Sequence, residues 1–388
     1  METILVKGPI LLKVRGECEI LGVKFKNTFI LYNNNKYLPI EKDKDTIITA
    51  KKGSKNVDPK KKTTIDQNQI GTRIWNDIIN SIEKTKKKKI IIIGPSDTGK
   101  STLTLFIANK LIRKGLEPII IDSDIGQGEL SPPVCIGTAR LSKQTIDLAN
   151  CHPTYINFIG NIQPIGYEQR ITNCIIRAQD KLYTKDNIIL INTDGYISNG
   201  EKNYKIELIE KIKPDCIICM KENGQIIDLF EIIKDRFSKN SNIQILEGQS
   251  PHKEIQKSLS DRREKRLLKY STLYKTFTKN VFISKKKLTA IYYKDKFFLL
   301  KKTSYLDNIN KIETNGTIIE DLLNDSFFIR NRFVGLSLKE DYEKITGFGI
   351  IKNFNNGFFL IQSSTYKFDN IFISDIKLYF DRNTLPTS

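Results

Sequence analysis

Apolar residues follow two rhythms along this chain. Over residues 1 to about 45 they form short extended runs, Ile4-Leu5-Val6, Pro9 to Leu12, Ile20 to Phe25 and Phe29 to Tyr32, divided by Gly or Asn. Such runs predict a small all-β unit. Between residue 90 and about 250 the runs are continuous rather than alternating: Ile90–Ile93, Pro118–Ile121, Tyr155–Ile159, Ile188–Ile191, Cys216–Met220 and Ile243–Leu246. Short, wholly apolar runs suit strands covered on both faces. Helical spacing lies between most of them, as with Leu103, Phe106, Ile107 and Leu111 within Thr102–Arg113. Ahead of the first run, Ile74, Ile78 and Ile82 stand four apart with Trp75 beside them. Strand alternating with helix predicts an α/β domain with a mainly parallel sheet, whose ligands sit at the carboxyl ends of the strands.

Two further stretches flank this core. Residues 50 to 64 are polar and basic and read as a linker or loop. Residues 251 to 278 are basic with a helical pattern. Beyond about 280 the chain turns aromatic and β-rich again: Phe282-Ile283, Leu288 to Tyr293 and Phe297 to Leu300 alternate with lysines, and Asn356-Gly357 marks a tight hairpin. The predicted layout is an N-terminal β domain with linker over 1–64, an α/β domain over 65–278, and a C-terminal β domain over 279–388.

The first strand of the α/β region runs into Gly94-Pro95-Ser96-Asp97-Thr98-Gly99-Lys100-Ser101-Thr102, which fits G-x-x-x-x-G-K-[ST] at every fixed position. Glycines let the backbone wrap an anion, and loop amides and the helix N-terminus point at phosphates. Lys100 is placed to reach the β- and γ-phosphates, and the Ser101 hydroxyl to ligate Mg²⁺. A glycine turn that merely joins strand to helix requires neither the lysine nor the hydroxyl. The fold class is therefore α/β, a P-loop NTPase domain with a mainly parallel sheet flanked by two small β domains. The motif leaves open what the γ-phosphate is used for.

Composition narrows the setting. The 388 residues carry a formal charge of +19, which favours a polyanionic partner, although a Lys-, Ile- and Asn-rich composition can also reflect drift in the source genome. No apolar run approaches the ~20 residues of a membrane span, and the first residues lack a signal-peptide layout. These features predict an intracellular protein, cytoplasmic, or nuclear in a eukaryote, with no membrane partner. Cys216 and Cys219 form a C-x-x-C, but within an apolar strand, without a second pair and with only two histidines in the chain. That argues for buried thiols over zinc. The Lys86–Lys89 run precedes the first strand, at the amino edge of the sheet, where a solvated face is expected.

Three groups of residues surround the P-loop in this reading. The second strand ends in Asp122-Ser123-Asp124-Ile125-Gly126-Gln127-Gly128, whose two carboxylates share a strand face. One is suited to accept a proton from an attacking hydroxyl and the other to hold Mg²⁺ or its waters; capping of the following turn is the structural alternative. The strand Ile188–Ile191 ends in Asn192-Thr193-Asp194-Gly195-Tyr196, where Thr193 or Asp194 can meet a metal-bound water and Tyr196 can stack on a base or fill the core. Arg262 and Arg266, four apart in Ser260-Asp-Arg-Arg-Glu-Lys-Arg266, lie on one helix face and can close over a transferring phosphoryl group.

In this combination the chain resembles the polynucleotide 5′-hydroxyl kinase family, which includes the RNA kinase of the pre-mRNA cleavage machinery, the ribosomal-RNA-processing kinase and archaeal relatives. The P-loop, Asp122-x-Asp-x-Gly-Gln127, Pro132-Pro133, Phe158-Ile-Gly-Asn-Ile-Gln-Pro164, Asn192-Thr-Asp-Gly-Tyr196 and Arg262-x-x-x-Arg266 occur in the family's order over residues 94 to 270. The compact length is closest to archaeal members. The resemblance implies transfer of the γ-phosphate of ATP or GTP, with Mg²⁺, to the 5′-hydroxyl end of RNA, DNA being a second acceptor class. RNA-processing proteins are the implied partners. By position, Lys100 and Ser101 bind triphosphate and metal, Asp124 is the general base, Asp122 and Gln127 support metal and acceptor, and Arg262 and Arg266 are lid arginines. Tyr196 stands where the family often has Trp. A silent nucleotide-binding scaffold in an RNA-processing assembly is the competing expectation. A GTPase switch would need an Asn-Lys-x-Asp motif, which Met220-Lys-Glu-Asn-Gly does not supply.

Overall fold

The computed structural model describes residues 2–34, 36–50, 72–184, 187–197, 202–221, 228–238, 242–249, 258–294, 296–300, 312–313 and 321–380. The predicted linker over 50–64 lies almost wholly outside these residues. The N-terminal strands are β1 (Glu2–Lys7), β2 (Ile10–Arg15), β3 (Glu17–Ile20), β4 (Val23–Lys26), β5 (Phe29–Tyr32), β6 (Tyr37–Lys42) and β7 (Ile47–Ala50). There follow α1 (Thr72–Thr85), β8 (Lys89–Ile93), α2 (Lys100–Ile112), β9 (Ile119–Ser123), β10 (Cys135–Arg140), β11 (Tyr155–Phe158), α3 (Glu168–Leu182) and β12 (Ile189–Thr193). Next come α4 (Lys202–Ile212), β13 (Cys216–Lys221), α5 (Asp228–Phe237), β14 (Gln244–Gln249) and α6 (Leu259–Tyr274). The C-terminal elements are β15 (Lys279–Ser284), β16 (Ala290–Tyr293), β17 (Lys296–Leu299), β18 (Ile312–Glu313), α7 (Ser326–Ile329), β19 (Arg332–Ser337), β20 (Ile345–Asn355), β21 (Phe358–Ser363) and β22 (Asn370–Lys377). The chain divides into two compact units. The first comprises 1–122, 139–152 and 179–257, and the second 123–138, 153–178 and 258–388.

In the first unit, the N-terminal strands form a four-stranded sheet, β1-β6-β3-β4, and a three-stranded one, β5-β2-β7. The run Ile20–Phe25, expected as one strand, is instead a hairpin: Leu21 and Gly22 both take positive φ, 48° and 83°, between β3 and β4. The turn docks on α2. Asn109 donates its side-chain amide to Leu21 O at 2.8 Å and to Thr145 O at 2.7 Å, and Glu19 pairs with Lys110 and Arg113. The α/β part of this unit orders its strands β9-β12-β8-β13-β14, with β12/β8, β8/β13 and β13/β14 parallel. Ile90 to Ile93 are fully buried, as their unbroken apolar run requires. Helix α1 packs on α2 through the Trp75 and Phe106 rings, 5.6 Å apart. The lysine run ahead of β8 has a structural job as well. Asp215 accepts the backbone amides of Lys88 and Lys89, and Lys89 Nζ donates to Ile212 O.

The second unit corrects one strand assignment. Tyr155–Phe158, expected within the parallel set, pairs antiparallel with Cys135–Thr138. The strand β10, Cys-Ile-Gly-Thr-Ala-Arg, escaped prediction because its small and polar residues break the apolar run. An eight-stranded sheet, β15-β21-β20-β19-β22-β16-β17-β18, forms the rest. Asn356 (φ 50°) and Gly357 (φ 77°) turn β20 into β21, as the sequence predicted. The aromatic core gathers Phe158, Tyr270, Tyr292, Phe333, Phe348 and Phe372, so α6 and the 153–178 segment share a core with the C-terminal strands. Polar ties reinforce it. Arg170 grips both carboxylate oxygens of Glu343, one at 2.6 Å, and donates to Phe158 O. Asp375 accepts from Tyr167 at 2.7 Å, Tyr293 at 3.0 Å and Asn161 at 3.1 Å. The Phe158–Pro164 motif is thus anchored to β22, and Asp375 N donates to Gly160 O at 2.7 Å.

Candidate active site

The phosphate loop lies in the first unit, between β8 and α2. Its backbone takes two left-handed residues, Asp97 (φ 61°) and Gly99 (φ 89°), which fold the chain back so that α2 begins at Lys100. Thr98 closes the loop by donating to Pro95 O at 2.9 Å. Gly94 packs against Met220 at the end of β13, where a Cβ would come within 2.7 Å of the Met220 carbonyl. Lys100 is buried and lies across the loop, donating to Gly94 O at 2.9 Å and Pro95 O at 2.6 Å. Ser96 abuts Gly195 beyond the end of β12. A methyl there would sit 2.2 Å from Ser96 Oγ and 2.4 Å from its amide nitrogen.

Ser101 is joined to Asp122 by a residue that had no assigned role, Asn192. Asn192 Nδ2 donates to Ser101 Oγ at 3.1 Å and to Asp122 Oδ1 at 2.8 Å. The parallel register sets Asn192 opposite Ile92, at the carboxyl end of the strand beside the loop. That position, a polar residue closing an apolar strand next to the P-loop strand, is the signal that could have marked it. Ser101 and Asp122 thereby present oxygen donors within one hydrogen-bonded group. A hydroxyl, a carboxylate and substrate phosphates suit Mg²⁺, which is held by one or two carboxylates rather than an all-protein cage. Among the described residues no cluster of three His, Cys, Asp or Glu forms such a cage.

The other residues of the Asn192–Tyr196 turn divide. Thr193 is fully buried and donates to Ile92 O at 2.8 Å, so its hydroxyl serves the sheet. Asp194 is buried among Lys205 Nζ (2.8 Å), Tyr204 OH (3.2 Å) and the Tyr196 amide (2.9 Å), which fixes the turn carrying the half-buried Tyr196. Cys216 and Cys219 lie buried in β13, where desolvation pushes each thiol up to about 12.

In the second unit, Asp124 is half-buried, and its Oδ1 accepts the amides of Gly126 (3.2 Å) and Gln127 (2.9 Å). It caps the turn as the structural alternative expected, and the cap orients the carboxylate. Helix α6 begins with a capping box in which Ser258 and Asp261 exchange hydrogen bonds. One face of α6 then lies on the 124–131 segment. Gln127 Nε2 donates to Arg262 O at 3.3 Å, Lys265 Nζ to Gln127 O at 3.1 Å, and Lys269 Nζ to Ser131 O at 3.0 Å and to Gly128 O. Lys265 also sits 3.7 Å from Glu129. Arg262, Lys265, Arg266 and Lys269 recur at three- and four-residue steps, so they share this face. Burial pulls the Arg266 guanidinium below its ordinary value and Arg262 and Arg263 add to that, whereas Tyr270 and Asp124 oppose it. Arg266 therefore lies within electrostatic reach of the Asp124 carboxylate. Gln127 and the two lysines emerge as the fastening of α6, a role that sequence spacing did not reveal.

Comparison with known proteins places this geometry. Residues 94–275 match the family of the mRNA cleavage and polyadenylation factor CLP1 P-loop. This segment is similar to a CLP1-type P-loop. A polyribonucleotide 5′-hydroxyl-kinase of Pyrococcus abyssi is 32% identical over 158 residues, which are 40% of this chain and 45% of that protein. One from Methanocaldococcus jannaschii is 31% identical over 154 residues, 40% and 43% of the two chains. The chain thus spans less than half the length of these curated relatives. The solved structure of the wild-type Clp1p–Pcf11p (454–563) complex matches with a TM-score of 0.66 at 13% identity, covering 97% of this chain and 96% of that one. The CLP1-like fold therefore extends through both flanking β regions. Among the described residues no helix is long and apolar enough to cross a membrane.

Proposed function

We propose that this protein is a polynucleotide 5′-hydroxyl kinase, which transfers the γ-phosphoryl group of ATP or GTP to the 5′-hydroxyl end of an RNA, and of DNA as a second acceptor. The observation that carries this reading is the fastening of α6 to the Asp124 turn, which keeps a carboxylate and two guanidinium groups in one neighbourhood. A plain nucleotide switch has no use for that combination. The names of the archaeal relatives support the same chemistry, and RNA-processing proteins remain the expected partners.

In this mechanism the loop amides and Lys100 hold the triphosphate, Lys100 exchanging its two carbonyl contacts for phosphate oxygens. Ser101 and Asp122, tied by Asn192, are the residues that would hold Mg²⁺. An ion held there would supply positive charge against the triphosphate. Asp124 accepts the proton of the 5′-hydroxyl as its oxygen bonds to the γ-phosphorus and the bond to the β–γ bridging oxygen breaks. It follows Asp122 by two residues, about 7 Å of chain at most. Arg262 and Arg266 neutralise the equatorial oxygens of the group in transit. Tyr196 offers a ring for the terminal base, and Gln127 acts by positioning α6.

The test is incubation of the purified protein with γ-labelled ATP or GTP and matched 5′-hydroxyl RNA and DNA oligomers. Label should appear at the 5′ end, and Asp124→Asn should abolish it while nucleotide binding persists. A protein that binds nucleotide but labels neither acceptor would be the silent scaffold instead.

A further inference from the structure

The C-terminal sheet carries a cavity of ≈ 470 Å³ lined by Phe327, Arg330, Asn331, Lys352, Lys377 and Tyr379. It is assembled from α7 and the segment after it, the far half of β20, and the end of β22 with the residues just beyond. Three of its six lining residues are cations and none is a carboxylate. The packing holds those cations in place. Arg330 Nε donates to Lys352 O at 3.3 Å, and Lys377 Nζ donates to Phe327 O while lying 4.0 Å from the Phe327 ring centroid. Lys352 is half-buried, and burial lowers its ammonium from the ordinary lysine value. An anion entering beside it would offset that penalty. Two flat rings stand at the rim. Phe327 is 82% exposed and Tyr379 49% exposed, although both are large apolar groups beside a well-packed sheet.

Cations inside and exposed rings at the edge describe the two halves of a nucleotide. Lysine and arginine take the backbone phosphate, and an aromatic face takes the base without reading its sequence. The volume lies within the range of small-molecule sites, about 300–1,000 Å³. The pocket is also continuous with the helix that bears the lid arginines. Lys352 Nζ lies 5.7 Å from the Tyr274 ring at the end of α6, and Tyr274 stacks on Phe380 at 3.8 Å. Eight to twelve helical residues separate Tyr274 from Arg266 and Arg262, about 12–18 Å. At ~3.4 Å per nucleotide of a stacked strand, that is about four or five nucleotides.

We propose that this pocket is a subsite for single-stranded RNA, taking one phosphate on Arg330, Lys352 and Lys377 and stacking a base on Phe327 or Tyr379 several nucleotides from the acceptor end. The inference rests on the kinase reading for the direction of the strand, but the binding itself does not. An acidic peptide would use the three cations and leave the rings without a task.

Fluorescence anisotropy on the full chain separates these outcomes. Probes are a 20-nucleotide RNA, a dinucleotide and a glutamate-rich peptide of matched charge. The double variant Arg330→Glu, Lys352→Glu should bind the 20-mer at least about tenfold more weakly. Its log–log salt slope should fall by about 0.7, the value for one phosphate contact on a single strand. Phe327→Ala, which removes an exposed ring and leaves the fold intact, should weaken the 20-mer about tenfold at constant salt slope. Dinucleotide phosphorylation should be unchanged in both. Unaltered 20-mer binding in both variants would overturn the subsite. So would a peptide that competes as well as RNA together with no effect of Phe327→Ala. A wild-type protein that binds the 20-mer through this pocket yet phosphorylates nothing would sink the kinase reading and leave the pocket standing.

Discussion

Gly195→Ala should cripple the phosphate loop without touching any group that does chemistry. The substitution adds one methyl, and Gly195 has no positive φ, so the backbone itself accepts alanine. The obstacle is space. The new Cβ would stand 2.4 Å from Ser96 N and 2.6 Å from Ser96 Cα, whereas ordinary contacts begin near 3.4 Å. The Ser96 backbone must therefore retreat by 3.4 − 2.4, about 1 Å, and the loop amides retreat with it. Overpacking of this kind costs about 1–3 kcal/mol, a modest loss of stability. A ~1 Å misplacement of positioned groups costs about 10²-fold in rate. The expected result is a fall in kcat/KM near 100-fold with the melting temperature lowered by only a few degrees. Gly115→Ala is the control. Its φ is 81°, so alanine is strained there, but nothing lies within 4 Å, and turnover should stay near wild type. Steady-state labelling of 5′-hydroxyl RNA and calorimetric titration of nucleotide measure both arms. Wild-type kcat/KM in Gly195→Ala would refute the close approach of the loop to the Asn192–Tyr196 turn.

The other predictions follow from the same contacts. Arg262→Ala or Arg266→Ala should cut turnover by about 10³-fold or more, as for arginines that stabilise phosphoryl transfer, with nucleotide affinity nearly unchanged; a double variant with full labelling activity would eliminate the lid role. Asn192→Ala should weaken metal-dependent nucleotide binding more than binding in chelator, because Ser101 and Asp122 lose their shared donor; equal loss in both would show that Asn192 is merely structural. Glu343→Ala strands the buried Arg170 guanidinium, which costs about 3–5 kcal/mol and should lower the melting temperature by about 6–20 °C at ~2–4 °C per kcal/mol; a shift under about 2 °C would show that the pair contributes nothing. Burial raises Cys216 and Cys219 from 9.0 to about 12, so above pH 9 the unfolded chain releases protons that the folded one keeps. Stability should then fall between pH 9 and 12, by about 1.4 kcal/mol per unit per thiol at most; replacement of both by alanine should flatten that slope in denaturant titrations.

Much of the fold could be read directly, and the exceptions have physical reasons. Ile90–Ile93 and the G-x-x-x-x-G-K-S loop announce strand, loop and helix because unbroken apolar runs and a glycine-lysine-hydroxyl sequence have few other uses. Asn356-Gly357 is equally plain, since two consecutive left-handed residues demand such a pair. The reading failed where tertiary contact overrides local pattern. Ile20–Phe25 looks like one strand until Asn109 claims the Leu21 carbonyl. Cys135–Arg140 is too short of large apolar residues to look like a strand, with Gly137 and Thr138 at its centre, and it becomes one by pairing with Tyr155–Phe158. In the candidate site, residue types were legible and partners were not. Thr193 carries a hydroxyl at an inviting place but gives it to Ile92. Asn192 beside it, given no part beforehand, links Ser101 to Asp122. Lys265 and Lys269 look like surface charge, and only the carbonyls of Gln127, Gly128 and Ser131 give them their purpose.

The carboxylate of Asp375 takes hydrogen bonds from Tyr167 and Asn161 on one side and from Tyr293 on the other, while Glu343 does the same service for Arg170. These ties have a practical corollary for anyone who would trim the gene. A fragment that stops after α6 keeps every residue assigned to catalysis yet strips Arg170, Tyr167 and the aromatic face of Tyr270 of their companions. The last hundred residues are thus foundation rather than appendage, and a chain truncated there should aggregate more readily than the whole one.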